Sequence, residues 1–117
     1  FSCMGSLSGG LDIRPFTKNW NIAGRLGAYE QYPERWKENT VINMTHLLTP
    51  GSMNIVFECG TGDFFSKVNC NMHDKLLKEG IPHDYYVRPG GHSWTYWLRN
   101  IKYQFMYFYD CFNKNTK

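Results

Sequence analysis

A histidine and an aspartate, each beside a glycine turn, are the side chains in this sequence best equipped to move a proton. His92 lies in Arg88-Pro89-Gly90-Gly91-His92-Ser93-Trp94-Thr95-Tyr96-Trp97, after a tight turn and at the mouth of an aromatic-rich helical pattern. Asp63 closes Cys59-Gly60-Thr61-Gly62-Asp63, a glycine loop at the end of an apolar run. The glycines leave room for a close partner. A carboxylate so placed can hold an imidazole in one tautomer and stabilise the imidazolium formed when the ring takes a proton. Together they make two thirds of a nucleophile-His-Asp triad. Singly, each has a plainer reading: Asp63 as a helix cap, His92 as a structural loop histidine. The paired arrangement, with the acid one strand and one helix before the base, favours catalysis.

Other candidates are weaker. His46 sits near a helix end, His73 inside a helix and His83 at a strand start, and their spacing matches no metal signature. The cysteines are Cys3, Cys59, Cys70 and Cys111, without a C-x-x-C, so no metal or other cofactor is expected. Cys3 and Cys59 fall in apolar runs and read as small buried hydrophobes. An even count permits disulfides without establishing them, which leaves the compartment open. Asp12, just past the first strand, is a rival acid ranked below Asp63; Asp84 stands at the wrong end of its strand. No nucleophile emerges. In Gly5-Ser6-Leu7-Ser8-Gly9, Leu7 occupies the centre that a G-x-S-x-G elbow reserves for serine, and no amphipathic helix follows. Ser6 and Ser8 read as strand-end and loop residues.

The elements that must carry Asp63 and His92 alternate. Phe1 to Leu7 reads as a buried strand ending in a glycine loop. Ile22 to Tyr29 is a weak helix ended near Pro33, and Trp36 to Leu48 a second helix stopped by Pro50-Gly51. Met53 to Cys59 is apolar and β-branched at its centre, as a buried parallel strand is. Phe65, Val68, Met72 and Leu76 mark a helix face that Gly80 ends, with Asp63 at the cap position. His83 to Arg88 is the third strand. From Ser93, Trp94, Trp97, Leu98, Ile101, Phe105, Phe108 and Phe112 recur at three and four, and Asn113 to Lys117 forms a polar tail. This order predicts an α/β fold of about three parallel strands with flanking helices. The sheet is incomplete, because a buried parallel strand wants neighbours on both sides. Residues 1–117 then form one partial domain. Both candidate residues follow strands, at the carboxyl ends where open α/β sheets build their sites.

Composition narrows the function. Apolar residues make up 42% and aromatics 17%, enough for a core and for surfaces that meet something else. The net charge of +3 is scattered, with no basic run, so nucleic acid is not an expected partner. No apolar stretch is long enough to span a membrane. Phe1 to Gly10 lacks the charged start and long apolar run of a signal peptide, and the opening Phe1-Ser2-Cys3 suggests a natural start elsewhere.

Four segments carry a family resemblance: Gly5-Ser6-Leu7-Ser8-Gly9-Gly10-Leu11-Asp12, Gly60-Thr61-Gly62-Asp63-Phe64-Phe65, Gly80-Ile81-Pro82-His83 and Pro89-Gly90-Gly91-His92-Ser93-Trp94-Thr95-Tyr96-Trp97. Along nearly its whole length the chain resembles the C-terminal half of the esterase D-like putative esterases. These include tributyrin esterases, S-formylglutathione hydrolases, feruloyl and acetyl esterases, and mycolyltransferases. The histidine segment is the most specific. The resemblance implies an α/β-hydrolase fold and a serine carboxylesterase acting on short acyl esters, small or polysaccharide-linked. Asp63 matches the triad acid and His92 the triad base, with Trp94 and Tyr96 as candidate walls of the substrate pocket. Core packing is the plainer role for Trp94 and Trp97. The serine and the oxyanion donors are expected upstream of Phe1, which makes this chain an inactive fragment that associates with its missing half or with itself. The rival is a degenerate hydrolase half that holds a sugar or a protein partner on its aromatic loops.

Overall fold

A computed structural model describes residues 2–115. Its centre is a three-stranded sheet of β1 (Cys3–Leu7), β2 (Asn54–Gly60) and β3 (Asp84–Arg88), in the order β1-β2-β3 and parallel throughout. Cys3 pairs with Asn54 and Leu7 with Glu58; Val56 pairs with Asp84 and Gly60 with Arg88. All three strands therefore end on the same side, where the loops holding Asp63 and His92 begin. β2 is buried from Ile55 to Gly60, as its central place demands.

Between β1 and β2 lie α1 (Ile22–Leu26), α2 (Pro33–Glu38) and a 3₁₀ helix (Val41–Leu47). The sequence predicts one helix from Trp36 to Leu48, and the structure breaks it at Asn39-Thr40. Asn39 Nδ2 donates to the Arg35 carbonyl at 2.7 Å and Thr40 Oγ1 to the Trp36 carbonyl at 2.6 Å. These short polar side chains compete with the backbone for the helix's last carbonyls, and Thr40 turns extended. Pro33 opens α2 instead of only ending α1, because a first-turn residue needs no backbone N–H.

α3 (Ser66–Lys78) covers one face of the sheet. Ile55 and Phe57 meet Met72, Leu76, Ile81, Leu11 and Ile42 there, each burial being worth about 1.5–3 kcal/mol. The helix stops at Gly80, whose φ of +70° suits glycine, with the Ile81 N–H on the Leu76 carbonyl at 2.9 Å.

α4 (Trp94–Asn115) crosses the other face. It takes in Asn113 to Asn115, which the sequence reads as tail. The side it buries is not the apolar stripe. Tyr96, Asn100, Gln104 and Cys111 are buried, whereas Trp94, Leu98, Phe105 and Phe112 are 56–73% exposed. Trp94 is thus outside the core expected for it. Close approach explains the choice: Gln104 Nε2 donates to the Ser6 carbonyl at 2.8 Å, and Gly5 has no β-carbon to obstruct Gln104 and Phe108. Cys111 forms a disulfide with Cys3, which is only half-buried, so the reading of Cys3 as a buried hydrophobe gives way. Cys59 is buried, as expected, and free. Among the described residues, nothing covers the outer face of α4 or the open edge of β1. The radius of gyration is accordingly 15.5 Å, against about 13 Å for a compact chain of this length.

Candidate active site

The acid and histidine loops are laced together by their backbones. Thr61 N–H donates to the Arg88 carbonyl and Gly62 N–H to the Gly90 carbonyl, each at 2.9 Å. A β-carbon at Gly60 would overlap the Gly90 carbonyl, which explains the glycine. This stitching continues the β2–β3 pairing past the strand ends and brings Asp63 under His92.

The Asp63 side chain is fully buried and His92 28% exposed, and Asp63 Oδ2 lies 3.0 Å from His92 Nδ1. Asp63 Oδ1 accepts the Phe65 N–H at 2.8 Å. One carboxylate therefore secures the turn into α3 and holds the imidazole. The reading of Asp63 as the helix cap gives way: the N-cap of α3 is Phe65, and Asp63 closes the turn before it. A carboxylate only accepts, so the neutral ring carries its proton on Nδ1 and its lone pair on Nε2. Such a ring is a base at Nε2 with its orientation fixed at Nδ1. Around it, Phe64 lies 4.5 Å, Trp97 4.8 Å and Phe65 5.5 Å away, centroid to centroid. Phe16 and Trp20 pack on Phe64 and Phe65 in turn. Trp97 is itself held, its Nε1 donating to Ser8 Oγ at 3.0 Å.

Cys59 lies beside Asp63, and its thiol is pushed up to about 12 by burial and then by the Asp63 carboxylate. It stays protonated and is no nucleophile. Asp12, the rival acid, is occupied by Arg14, with Nε–Oδ1 and Nη2–Oδ2 distances of 2.9 Å. Asp84 takes the Tyr86 hydroxyl at the far end of β3. His46 faces the Asn43 carbonyl, and His73 Nδ1 meets His83 Nε2 at 2.7 Å, away from the site. Trp94 is exposed and, with Leu7, Trp97, Leu98 and Ile101, lines an open apolar hollow of about 410 Å³ beside the histidine loop. Tyr96 is 1% exposed with its hydroxyl on Glu58, within the core and off the open pocket wall. Among the described residues no group of three His, Cys, Asp or Glu could hold a metal ion, and no helix is long and apolar enough to cross a membrane.

A cluster escaped the sequence reading. Glu58, in the middle of β2, is fully buried; its Oε2 takes Arg88 Nη1 and, at 3.0 Å, the Tyr96 hydroxyl. The one signal was a glutamate inside an apolar strand.

No family model and no curated protein matches the chain. Solved structures do. S-formylglutathione hydrolase from Staphylococcus aureus aligns with a TM-score of 0.74 at 18% identity over 92% of this chain and 44% of that one. A ferulic acid esterase aligns at 0.64 and 20% identity over 89% of this chain and 40% of its own. A fluorophosphonate-binding serine hydrolase of Staphylococcus aureus aligns at 0.66 and 21% identity over 92% of this chain and 44% of its own. The chain shares the fold of part of these hydrolases: three parallel strands in an open sheet with flanking helices. The chain spans less than half the length of the structures it matches, consistent with a C-terminal portion.

Proposed function

We propose that this chain is the acid-and-base half of a serine carboxylesterase for short acyl esters, and that it is inactive alone. The observation that carries the reading is the buried Asp63 carboxylate on Nδ1 of a part-exposed His92, which leaves Nε2 to work. The nucleophilic serine and the oxyanion donors come from polypeptide outside these 117 residues. Coverage of only 40–44% of the aligned hydrolases supports this.

In the assembled site the serine hydroxyl attacks the ester carbonyl and its proton passes to His92 Nε2. Asp63 holds the ring and balances the imidazolium. His92 then delivers the proton to the leaving alcohol. Next it takes one from water, which releases the acid. Trp94 and the exposed Trp20 and Phe64 offer apolar surface for the acyl or alcohol group. The missing half, or a second copy, would cover the β1 edge and the apolar stripe of α4.

A degenerate module that holds a sugar or a protein would draw on the same exposed rings, but gives the buried Asp63–His92 bond no task. The test is turnover of a short-chain aryl ester. Purified chain should show none above buffer, and turnover that His92→Ala abolishes would overturn the fragment reading. In a longer protein containing this segment, His92→Ala should remove activity by orders of magnitude; near-normal rates would remove the assigned role.

A further inference from the structure

Glu58 takes no part in the proton transfers above, yet it lies directly beneath the loops that perform them. Its side chain is fully buried on the central strand. An ion pair there is a poor stabiliser, since desolvating the two groups offsets most of their attraction. Its partners are informative. Arg88 stands four residues before His92 and Tyr96 four after, so one carboxylate oxygen grips both ends of the histidine loop. The Tyr96 ring is wedged against both loops: a β-carbon at Gly90 would collide with it, and one at Gly60 would press on it at 3.2 Å. Tyr103 of α4 packs over the Arg88 guanidinium at 4.2 Å and closes the group from above.

We infer that Glu58 is a positioning residue for the Asp63–His92 pair, acting through Tyr96 and Arg88. Its carboxylate sets the height of the Tyr96 ring, on which the Gly60 and Gly90 turns both rest. Those turns set the separation of Asp63 and His92. Burial and then the Glu58 carboxylate push the Tyr96 phenol up, which keeps its hydroxyl a donor. The inference rests on the proposed role of the pair, but its test requires only that the Asp63–His92 bond exists.

The readout is solvent exchange of the His92 Nδ1 proton by NMR on the full chain, with the Phe57 amide as a monitor of global opening. In Glu58→Gln the Nδ1 proton should exchange about tenfold faster relative to Phe57 N–H, the scale of one weakened hydrogen bond. Tyr96→Phe, which keeps the Glu58–Arg88 pair, should give a smaller change of the same sign, and it decides the matter if Glu58→Gln does not fold. Equal acceleration of both protons, or of neither, would reduce Glu58 to an ordinary core residue and overturn the inference. Turnover by the chain alone, or a near-normal rate for His92→Ala in a longer protein, would instead strike the proposed function and leave this result standing.

Discussion

Replacing Asp63 by asparagine tests the site at its centre. The substitution keeps shape and removes charge, and the surroundings dictate how the amide must lie. Asp63 Oδ1 accepts the Phe65 N–H, so the asparagine oxygen has to stay there; the flipped amide would set N–H against N–H. Its NH₂ group then faces His92 Nδ1, where the carboxylate had been. A donor now meets a donor, and the ring answers by moving its proton to Nε2. One charge-assisted hydrogen bond becomes a neutral one, which costs about 1–2 kcal/mol, or roughly 5 °C in Tm. The chain should remain folded with an inverted imidazole. Two-bond proton–nitrogen correlation on labelled protein reads the tautomer directly, and the parent should show the proton on Nδ1. In an assembled enzyme the inverted ring offers no lone pair to the serine, and kcat should fall roughly 10⁴-fold, as in the best-studied serine protease triad. A folded Asp63→Asn chain that keeps its proton on Nδ1 would refute this reasoning, because the Phe65 contact would then not orient the side chain.

Three further outcomes follow from other parts of the molecule. The Cys3–Cys111 disulfide spans 108 residues, so reduction or a double serine substitution should lower unfolding free energy by about 4–5 kcal/mol, read by guanidinium titration with and without reductant. Gly60→Ala drives a β-carbon into the Gly90 carbonyl and should cost about 3 kcal/mol; Gly51→Ala, at φ +82° with open space around it, should cost about 1–2 kcal/mol, and equal effects would deny that the loops touch. Because the Cys59 pKa is raised in the fold, its contribution is full below pH 9.0 and is lost as pH climbs toward about 12. Denaturant melts should weaken across that window, and Cys59→Ala should flatten part of the slope.

Much of the fold could be read from local pattern because each element announces itself. β2 is β-branched and apolar, Gly80 stops α3, and Gly90-Gly91 breaks the chain before His92. That Asp63 and His92 meet was legible for the same reason, since glycine turns at strand ends are where a sheet displays side chains. What escaped depends on contacts distant in sequence. Glu58 joins residues 30 and 38 positions away, and no local rule relates them. Cys3 and Cys111 lie at opposite ends of the chain, and pairing cannot be deduced from a count of four. Along α4 the period of the apolar residues was clear but its meaning was not. Gln104 and Gly5 decide which face docks, and that leaves Trp94, Leu98, Phe105 and Phe112 outside.

The disulfide also changes the topology of the molecule. Cys3 begins β1, while Asp63 and His92 follow the opposite ends of the strands, so the cross-link sits at the pole remote from the chemistry. It closes residues 3–111 into a covalent ring that contains every strand and both loops of the site. A protease cutting the exposed turn near Gly51 would open that ring without dividing it. Both pieces would remain tethered through sulfur, with β1 still beside β2, and Asp63 and His92 would travel on the same piece.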